Sequence, residues 1–143
     1  HRHEVFLKKK NVTFINDSKA TSFESTKYAL KNNKNIYWIL GGLPKIKDKF
    51  DFQGTNLNII KSFIIGKKSN YFQNQIAKKI KYKISFNLTN AIKDIFKELI
   101  LNRKKKITVL FSPASASYDQ FDNFADRGNQ FKKITKIYAK KFL

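Results

Sequence analysis

Short apolar stretches alternate with longer amphipathic ones along most of the chain. The short stretches predict strands over residues 4–7, 12–15, 36–40, 59–65, 82–86 and 107–111. The longer ones predict helices over about residues 22–32, 70–80 and 89–101, and from residue 118 or 120 to residue 139. Strand and helix follow each other at βαβ spacing from Val12 onward. This alternation predicts an α/β fold, with an open, mostly parallel sheet and helices on both faces.

Local signals add detail to several of these elements. Residues 36–40 are apolar throughout, which is typical of a strand buried on both faces. Thr21, followed three residues later by Glu24, predicts a capping box at the start of the first helix. Residues 45–58 show no clear period and are predicted to be irregular. We find no internal repeat and no second core, so residues 1–143 are predicted to be one domain.

The composition excludes several classes of site. The chain has 143 residues and no cysteine, which rules out disulfide frameworks, thiolate zinc sites and cysteine nucleophiles. Its two histidines, His1 and His3, lie together at the N-terminus, which argues against a histidine metal site or a Ser-His-Asp triad. Neither of the common glycine-rich nucleotide loops occurs. No apolar run approaches the roughly 20 residues that span a bilayer, so we expect no membrane partner.

The formal net charge is +20, which first suggests nucleic acid as a partner. Nearly all of this charge is lysine, whereas base readout and bidentate phosphate contacts depend on arginine. The lysines are dispersed along the sequence, and the runs at residues 8–10 and 104–106 each precede an apolar stretch, as solvated turns do. We therefore favour a solvated basic surface, which also suits an anionic substrate, over a nucleic-acid site. A non-enzymatic basic module that binds RNA or another polyanion is the alternative.

Three polar loops follow predicted strands and carry the candidate chemistry. They span residues 17–21, 41–45 and 112–119, and they offer lysines, hydroxyls and backbone amides beside predicted helix starts. Ligands bind at the carboxyl ends of parallel strands, and this set of donors suits carboxylates or phosphates. Each loop also has a purely structural interpretation. Ser18 and Thr21 could cap a helix, Gly41 and Gly42 could form a tight turn, and residues 112–113 could end a strand.

Taken together, the loops resemble a known family. Residues 16–21, with the sequence NDSKAT, resemble the N-D-S-K-A-T-N signature of the Mur ligases that add D-glutamate to a peptidoglycan precursor. Residues 40–45 resemble that family's L-G-G-x-x-K turn, and residues 112–121 resemble its S-P-A-x-A-S-x-D-Q-F segment. Phe124, Arg127, Gly128 and Phe131 continue this last pattern, and His1 with Arg2 resembles the segment that opens the same domain. The motifs occur in the family's order and span the chain.

The resemblance implies a Rossmann-like domain, the C-terminal one of three in the family, and the absence of methionine also suggests a piece of a longer chain. In the family, the complete enzyme uses ATP and Mg²⁺ to phosphorylate the carboxylate of UDP-N-acetylmuramoyl-L-alanine, and D-glutamate then attacks the acyl phosphate. ATP and Mg²⁺ are bound mainly by the central domain. We accordingly expect a cytoplasmic, monomeric bacterial ligase, of which this part alone is inactive.

The resemblance also assigns roles to single residues. Lys19 matches a catalytic lysine near the reacting centre. The positions that hold D-glutamate are matched by Thr21, Lys45, Ser117, Tyr118 (through its backbone) and Phe124. Arg2 and Asp17 match positions that reach the ATP, and no position of this chain matches a metal ligand.

Four positions depart from the family's pattern. Ser22 stands where asparagine is usual, and Ser115 replaces the usual cysteine, a near-isosteric change that we expect to be tolerated. Leu43 and Pro44 replace a more polar pair, which leaves the placement of Lys45 open. The sister Mur ligases and a related folate-adding ligase share the domain plan, but they carry other versions of the first loop.

Overall fold

The computed structural model describes residues 1–52 and 57–143, and these residues form six strands and four helices. The strands are β1 (Glu4–Lys9), β2 (Val12–Asn16), β3 (Ile36–Leu40), β4 (Ile59–Ile65), β5 (Tyr82–Phe86) and β6 (Ile107–Phe111). The helices are α1 (Phe23–Lys31), α2 (Ser69–Ile76), α3 (Leu88–Leu101) and α4 (Phe124–Phe142). All six predicted strands are confirmed, and β3 to β6 have the predicted bounds.

The strands form one sheet in the order β1-β2-β6-β3-β4-β5. The hairpin of β1 and β2 is antiparallel, and every other neighbouring pair is parallel. This confirms the predicted α/β fold with a mostly parallel sheet. Because β6 lies between β2 and β3, the carboxyl ends of these three strands are side by side. We call this side of the sheet the carboxyl edge, with the loops 17–22, 41–52 and 112–123 that follow the three strands. The opposite side is the amino edge.

Apolar side chains cover both faces of the sheet. One face packs against α3 and α4, and its buried residues include Phe14, Phe96 and Phe131. The other face packs against α1 and α2 around Trp38 and Phe72. The helices therefore lie on both faces, as predicted. Each face buries several large apolar side chains, so each layer has its own hydrophobic contribution to stability.

The start of α1 differs from the prediction by one residue. Ser22, rather than Thr21, is the N-cap, and its hydroxyl accepts the Ser25 N–H at 3.2 Å. The Ser25 hydroxyl in turn accepts the Ser22 N–H at 3.0 Å, so Ser25 takes the place predicted for Glu24 in the capping box. The departure at Ser22 thus supplies the cap, and the Thr21 side chain is not needed for it.

The ends of two other helices also differ from the prediction. Helix α4 begins at Phe124, because the Asn123 side chain caps it by accepting the Asp126 N–H at 2.8 Å. The preceding residues form turns instead of helix. Helix α2 ends at Ile76 instead of residue 80, and residues 77–80 continue as turns. Residues 45–52 are irregular as predicted, and residues 53–56 of that predicted stretch lie outside the described residues. Among the helices of the described part, none has the length and apolar character that crossing a membrane requires.

Candidate functional site

The three predicted loops meet at the carboxyl edge. The Asp17 N–H bonds to the carbonyl of Phe111 at 2.8 Å, which places the loop after β2 beside the end of β6. The loops after β3 and β6 are joined more closely. Leu43 and Ala116 exchange two backbone hydrogen bonds, of 3.0 and 2.9 Å, as an isolated antiparallel bridge. The carboxyl edge is therefore one hydrogen-bonded assembly of the three loops.

Arg127 of α4 links two of these loops from the buried side of the assembly. Its guanidinium donates to the Ser18 carbonyl and to the Ser115 carbonyl, each at 2.7 Å, and to the Ser18 hydroxyl at 3.0 Å. The side chain is only 1% exposed. Burial lowers the pKa of Arg127 to about 10, against the opposing influence of Asp119, so the group stays charged at neutral pH. A buried cation thus links the loop after β2 to the loop after β6.

Ser18 extends this link to the start of α4. Its hydroxyl donates to the Phe124 carbonyl at 2.6 Å while it accepts from Arg127. The interpretation of Ser18 as a helix cap is therefore wrong, since its side chain bonds to α4 and not to α1. The result is that Phe124 is fixed relative to the loop that carries Lys19.

Asp17 is buried directly beneath the loops. One carboxylate oxygen accepts the Ser112 hydroxyl at 2.7 Å, and the other accepts the His3 N–H at 2.8 Å. Burial raises the pKa of Asp17 above its ordinary value of 3.8, although both hydrogen bonds and the charges of His3 and Arg2 oppose the shift. Asp17 therefore ties the N-terminal segment to the loop after β6.

The titration of Asp17 gives a testable pH dependence. Because the native state binds this proton more tightly than the unfolded chain, the stability that the group contributes falls as the pH rises from about 3.8 through its raised pKa. Asp17→Asn removes the titration and keeps an oxygen for the His3 N–H. In urea unfolding between about pH 3 and pH 7, we expect the variant to gain stability relative to the unmodified chain as the pH rises. Parallel stability curves for the two proteins would contradict this assignment.

Lys19 and Thr21 are both exposed on the loop after β2. The Lys19 backbone N–H bonds to the His1 carbonyl at 3.0 Å, and its ammonium lies 5.7 Å from the centre of the Phe124 ring. This cation–π distance places Lys19 beside Phe124. Within the part of the chain that the structure describes, no hydrogen bond engages the Thr21 hydroxyl. Both side chains can therefore meet a ligand at the surface of the loop.

The loop after β6 brings Ser117 and Tyr118 to the same edge. Ser117 is buried, and its carbonyl accepts the N–H groups of Gln120 and Phe121 at 3.3 and 3.0 Å. Tyr118 is 70% exposed, so its side chain points to solvent. Phe124 is half-buried and makes an edge-to-face contact with His1 at 5.9 Å between ring centres.

The glycine turn after β3 packs closely against β4 and bonds to the loop after β6. Gly41 has a φ of +124°, and a Cβ there would lie 2.0 Å from the carbonyl oxygen of Ile65. Its own carbonyl accepts the hydroxyl of Ser115 at 2.7 Å, so the serine that replaces cysteine makes a buried hydrogen bond. Leu43 is fixed by its bridge to the loop after β6. Lys45 follows on this turn with its side chain exposed, and nothing in the described contacts joins it to Lys19.

Two other observations bear on what the edge can bind. Arg2 is exposed next to His3, whose N–H is held by Asp17. No group of three histidine, cysteine or acidic side chains in residues 1–52 and 57–143 is placed to hold a metal ion. The exposed groups of this edge, which are Arg2, Lys19, Thr21 and Lys45, suit anionic oxygen atoms instead.

Sequence comparison relates the chain to enzymes of known name. A UDP-N-acetylmuramoylalanine–D-glutamate ligase from Wolbachia sp. subsp. Brugia malayi is 42% identical over 134 residues, which are 94% of this chain and 27% of the relative. The ligase of that name from Wolbachia pipientis wMel is 39% identical over 134 residues, again 94% of this chain and 26% of the relative. The one from Bartonella henselae is 38% identical over 131 residues, which are 92% of this chain and 28% of the relative.

No protein-family model matches the chain. The curated relatives nevertheless align with nearly all of it, and the chain spans about a quarter of their length. The similarity therefore covers the loops of the carboxyl edge and the two layers of helices alike. By sequence, nearly the whole chain is therefore similar to about a quarter of the length of enzymes named UDP-N-acetylmuramoylalanine–D-glutamate ligases.

Proposed function

We propose that residues 1–143 are the C-terminal, amino-acid-binding domain of a ligase that adds D-glutamate to UDP-N-acetylmuramoyl-L-alanine. The observation that carries the proposal is the convergence of the three family motifs at one edge, where Arg127 bonds to two of them. Ligand sites of open α/β sheets lie at this edge, and here exposed cations and hydroxyls surround it. The names of the relatives support the substrate class, and the exposed cations at the carboxyl edge support this location for the site.

D-Glutamate presents two carboxylates and one amine. We assign the carboxylates to Lys45, the Thr21 hydroxyl and the Ser117 hydroxyl, with the backbone near Tyr118 and the ring of Phe124 as the walls. A lysine and hydroxyls form charge-assisted hydrogen bonds to carboxylates and leave the amine free to react. The bond from Ser18 to the Phe124 carbonyl fixes the distance between the Thr21 loop and this wall.

In the proposed reaction, the amine nitrogen forms a bond to the carbonyl carbon of the acyl phosphate. The bond from that carbon to the phosphate oxygen breaks, phosphate leaves with the electron pair, and the nitrogen loses a proton. Lys19 is exposed on the loop after β2. In this proposal its ammonium stabilises the negative charge that develops at the reacting centre. Its placement over the Phe124 ring keeps the ammonium beside the proposed substrate.

ATP supplies the phosphoryl group of this reaction, and two residues of this chain are proposed to contact it. Arg2 is exposed and suits a nucleotide phosphate. Asp17 is buried, with both carboxylate oxygens in hydrogen bonds, so we propose that it chiefly positions Arg2 through the His3 N–H. A direct bond from Asp17 to a ribose hydroxyl stays a prediction. Mg²⁺ does not fit the residues described here, since no acidic or histidine cluster exists to hold it.

In this proposal, other domains of the protein bind ATP and the UDP-sugar. The proposed setting is the bacterial cytoplasm, where such precursors and ATP are found, and the proposed enzyme is a monomer. We expect the chain of 143 residues alone to release no ADP when given ATP, Mg²⁺, D-glutamate and UDP-N-acetylmuramoyl-L-alanine. Release of ADP that depends on D-glutamate, measured with a coupled assay on the chain alone, would contradict the division of roles.

Lys45 gives the most direct kinetic test of the substrate assignment. In the complete enzyme, Lys45→Ala is expected to raise the KM for D-glutamate about tenfold to a hundredfold, because a carboxylate loses a charged partner. The KM for ATP should change little. Initial rates of phosphate release at varied D-glutamate concentration measure both constants.

Lys47→Ala is the matched control, since Lys47 is exposed on the same loop two residues away. It should leave the KM for D-glutamate within about twofold of the unmodified value, because surface charges at a distance are screened. An unchanged KM in Lys45→Ala would show that the turn of Leu43 and Pro44 has carried the lysine out of reach of the substrate.

A further inference from the structure

Positive charge is concentrated at the amino edge of the sheet, opposite the proposed substrate site. The connections that lead into β2, β3, β5 and β6 at this edge contain no aspartate or glutamate. Their cationic residues are Lys10, Lys34, Lys78, Lys79, Lys81, Arg103, Lys104, Lys105 and Lys106. Lysines that are dispersed along the sequence are thus gathered by the topology, because every parallel strand begins at the same edge.

Glu98, near the end of α3 that leads to this edge, is already paired with Lys61 at 3.0 Å. Asp17, Asp119 and Asp126 belong to the carboxyl edge or to the start of α4. The ion pairs between side chains of the described residues use other lysines, namely Lys27, Lys61, Lys83 and Lys132. The lysines of the amino edge are therefore available to an external anion.

A groove at the amino edge collects part of this charge with neutral donors. It has a volume of about 430 Å³, and Lys8, Lys10, Lys34 and Lys106 line it together with Asn11 and Asn35. All four lysines are exposed. The Asn35 side chain donates to the Lys106 carbonyl at 2.9 Å, which fixes the two connections that form the wall. Lysine and asparagine side chains are typical donors to the phosphate oxygens of nucleic acids.

We propose that this groove binds the phosphate backbone of a nucleic-acid strand, independently of the ligase site on the other edge. No aromatic ring lines the groove, so the contact is to phosphates and is independent of base sequence. The two apolar residues that line it, Val12 and Ile107, are buried, so the groove lacks the exposed apolar side chains that a membrane-binding surface inserts between lipids. The sequence alone favours a solvated basic surface over a nucleic-acid site. The strand order favours the nucleic-acid site, because it brings lysines that are distant in sequence together at the amino edge.

The test uses the chain and a labelled single-stranded RNA of mixed sequence, about 20 nucleotides long. If the four lysines of the groove each contact a phosphate, the binding constant measured by fluorescence anisotropy should fall with a log–log salt slope of about −3. This corresponds to a loss of about 50-fold between about 50 and 200 mM salt. Replacing both Lys34 and Lys106 with glutamine should reduce that loss to about sevenfold.

The matched control replaces Lys67 and Lys68 with glutamine, which removes the same charge from exposed positions after β4, at the carboxyl edge. Its salt slope should equal that of the unmodified chain. Equal losses in the two double variants would overturn the proposal, because they would show attraction to net charge alone. Absence of RNA binding, or binding only to vesicles of anionic lipid, would also overturn it. Circular dichroism of both variants checks that the fold is retained.

Discussion

Replacing Arg127 with methionine is expected to lower the free energy of unfolding by about 3 kcal/mol. Methionine fills much of the same volume but cannot donate to the carbonyls of Ser18 and Ser115. Each buried carbonyl that loses its donor costs about 1–3 kcal/mol. Relief from burying a charge, which is reflected in the lowered pKa of Arg127, offsets part of that cost.

Urea unfolding of the isolated chain measures this loss. Arg103→Met is the control, because Arg103 is exposed and makes a single long contact of 3.4 Å to the Phe142 carbonyl. We expect its effect to stay within about 0.5 kcal/mol. If the two arginine variants unfold alike, Arg127 does not hold the loops as its contacts indicate.

Gly41→Ala is expected to destabilise the domain by about 3–5 kcal/mol. The new Cβ would lie 2.0 Å from the Ile65 carbonyl oxygen and 2.9 Å from two further backbone atoms of Ile65. Those atoms belong to β4 and cannot move aside as a flexible side chain would. The φ of +124° adds strain for any residue with a side chain. Thermal and urea unfolding of the variant measure the loss.

Gly128→Ala serves as the matched control for this substitution. Its Cβ would meet the ends of two side chains, the His1 ring and the Asn16 amide, and no backbone atom, and position 128 lies within α4. Alanine also favours helix over glycine by about 1 kcal/mol, so the net change should be small. Equal destabilisation by the two alanine substitutions would indicate that the close approach of Gly41 to β4 is not the cause of the stability loss in Gly41→Ala.

The central strands could be predicted well because a strand that is buried on both faces is an uninterrupted run of apolar residues. All five residues of β3 and of β6 are buried, and both strands have the predicted bounds. Helix starts were harder to predict, because neighbouring polar residues compete for the cap. Thr21 and Ser22 are both good N-caps by type, and the structure has Ser22 as the cap.

The start of α4 shows a second limit of local signals. Residues 118–123 are compatible with a helix by composition, but Gln120 bonds through its side chain to the Phe86 carbonyl at 3.1 Å and Asn123 provides a cap. The Gln120 bond depends on the position of β5, whereas the Asn123 cap is a local contact with Asp126. A contact between residues distant in sequence and a local cap together set this boundary, and periodicity alone could not have located it.

For the site, the sequence was sufficient to predict the three loops but not how they are held. Arg127 was visible only as one position of a motif, and no local pattern indicated that it bonds to two loops from below. Its rarity is the one signal that could have been used, because arginine is scarce in a chain whose positive charge is otherwise lysine. The gathering of lysines at the amino edge likewise required the strand order, since connections far apart in sequence form that surface.

An NMR titration of the chain tests most directly the proposal that the carboxyl edge binds D-glutamate. Backbone amide signals are followed during addition of D-glutamate, and L-glutamate is added to a second sample. The account predicts saturable shifts at Thr21, Ser117 and Tyr118 with D-glutamate, weaker shifts with L-glutamate, and none at Lys34 and Lys106 of the amino edge. Shifts that are equal for the two enantiomers, or that are absent from the carboxyl edge, would contradict it.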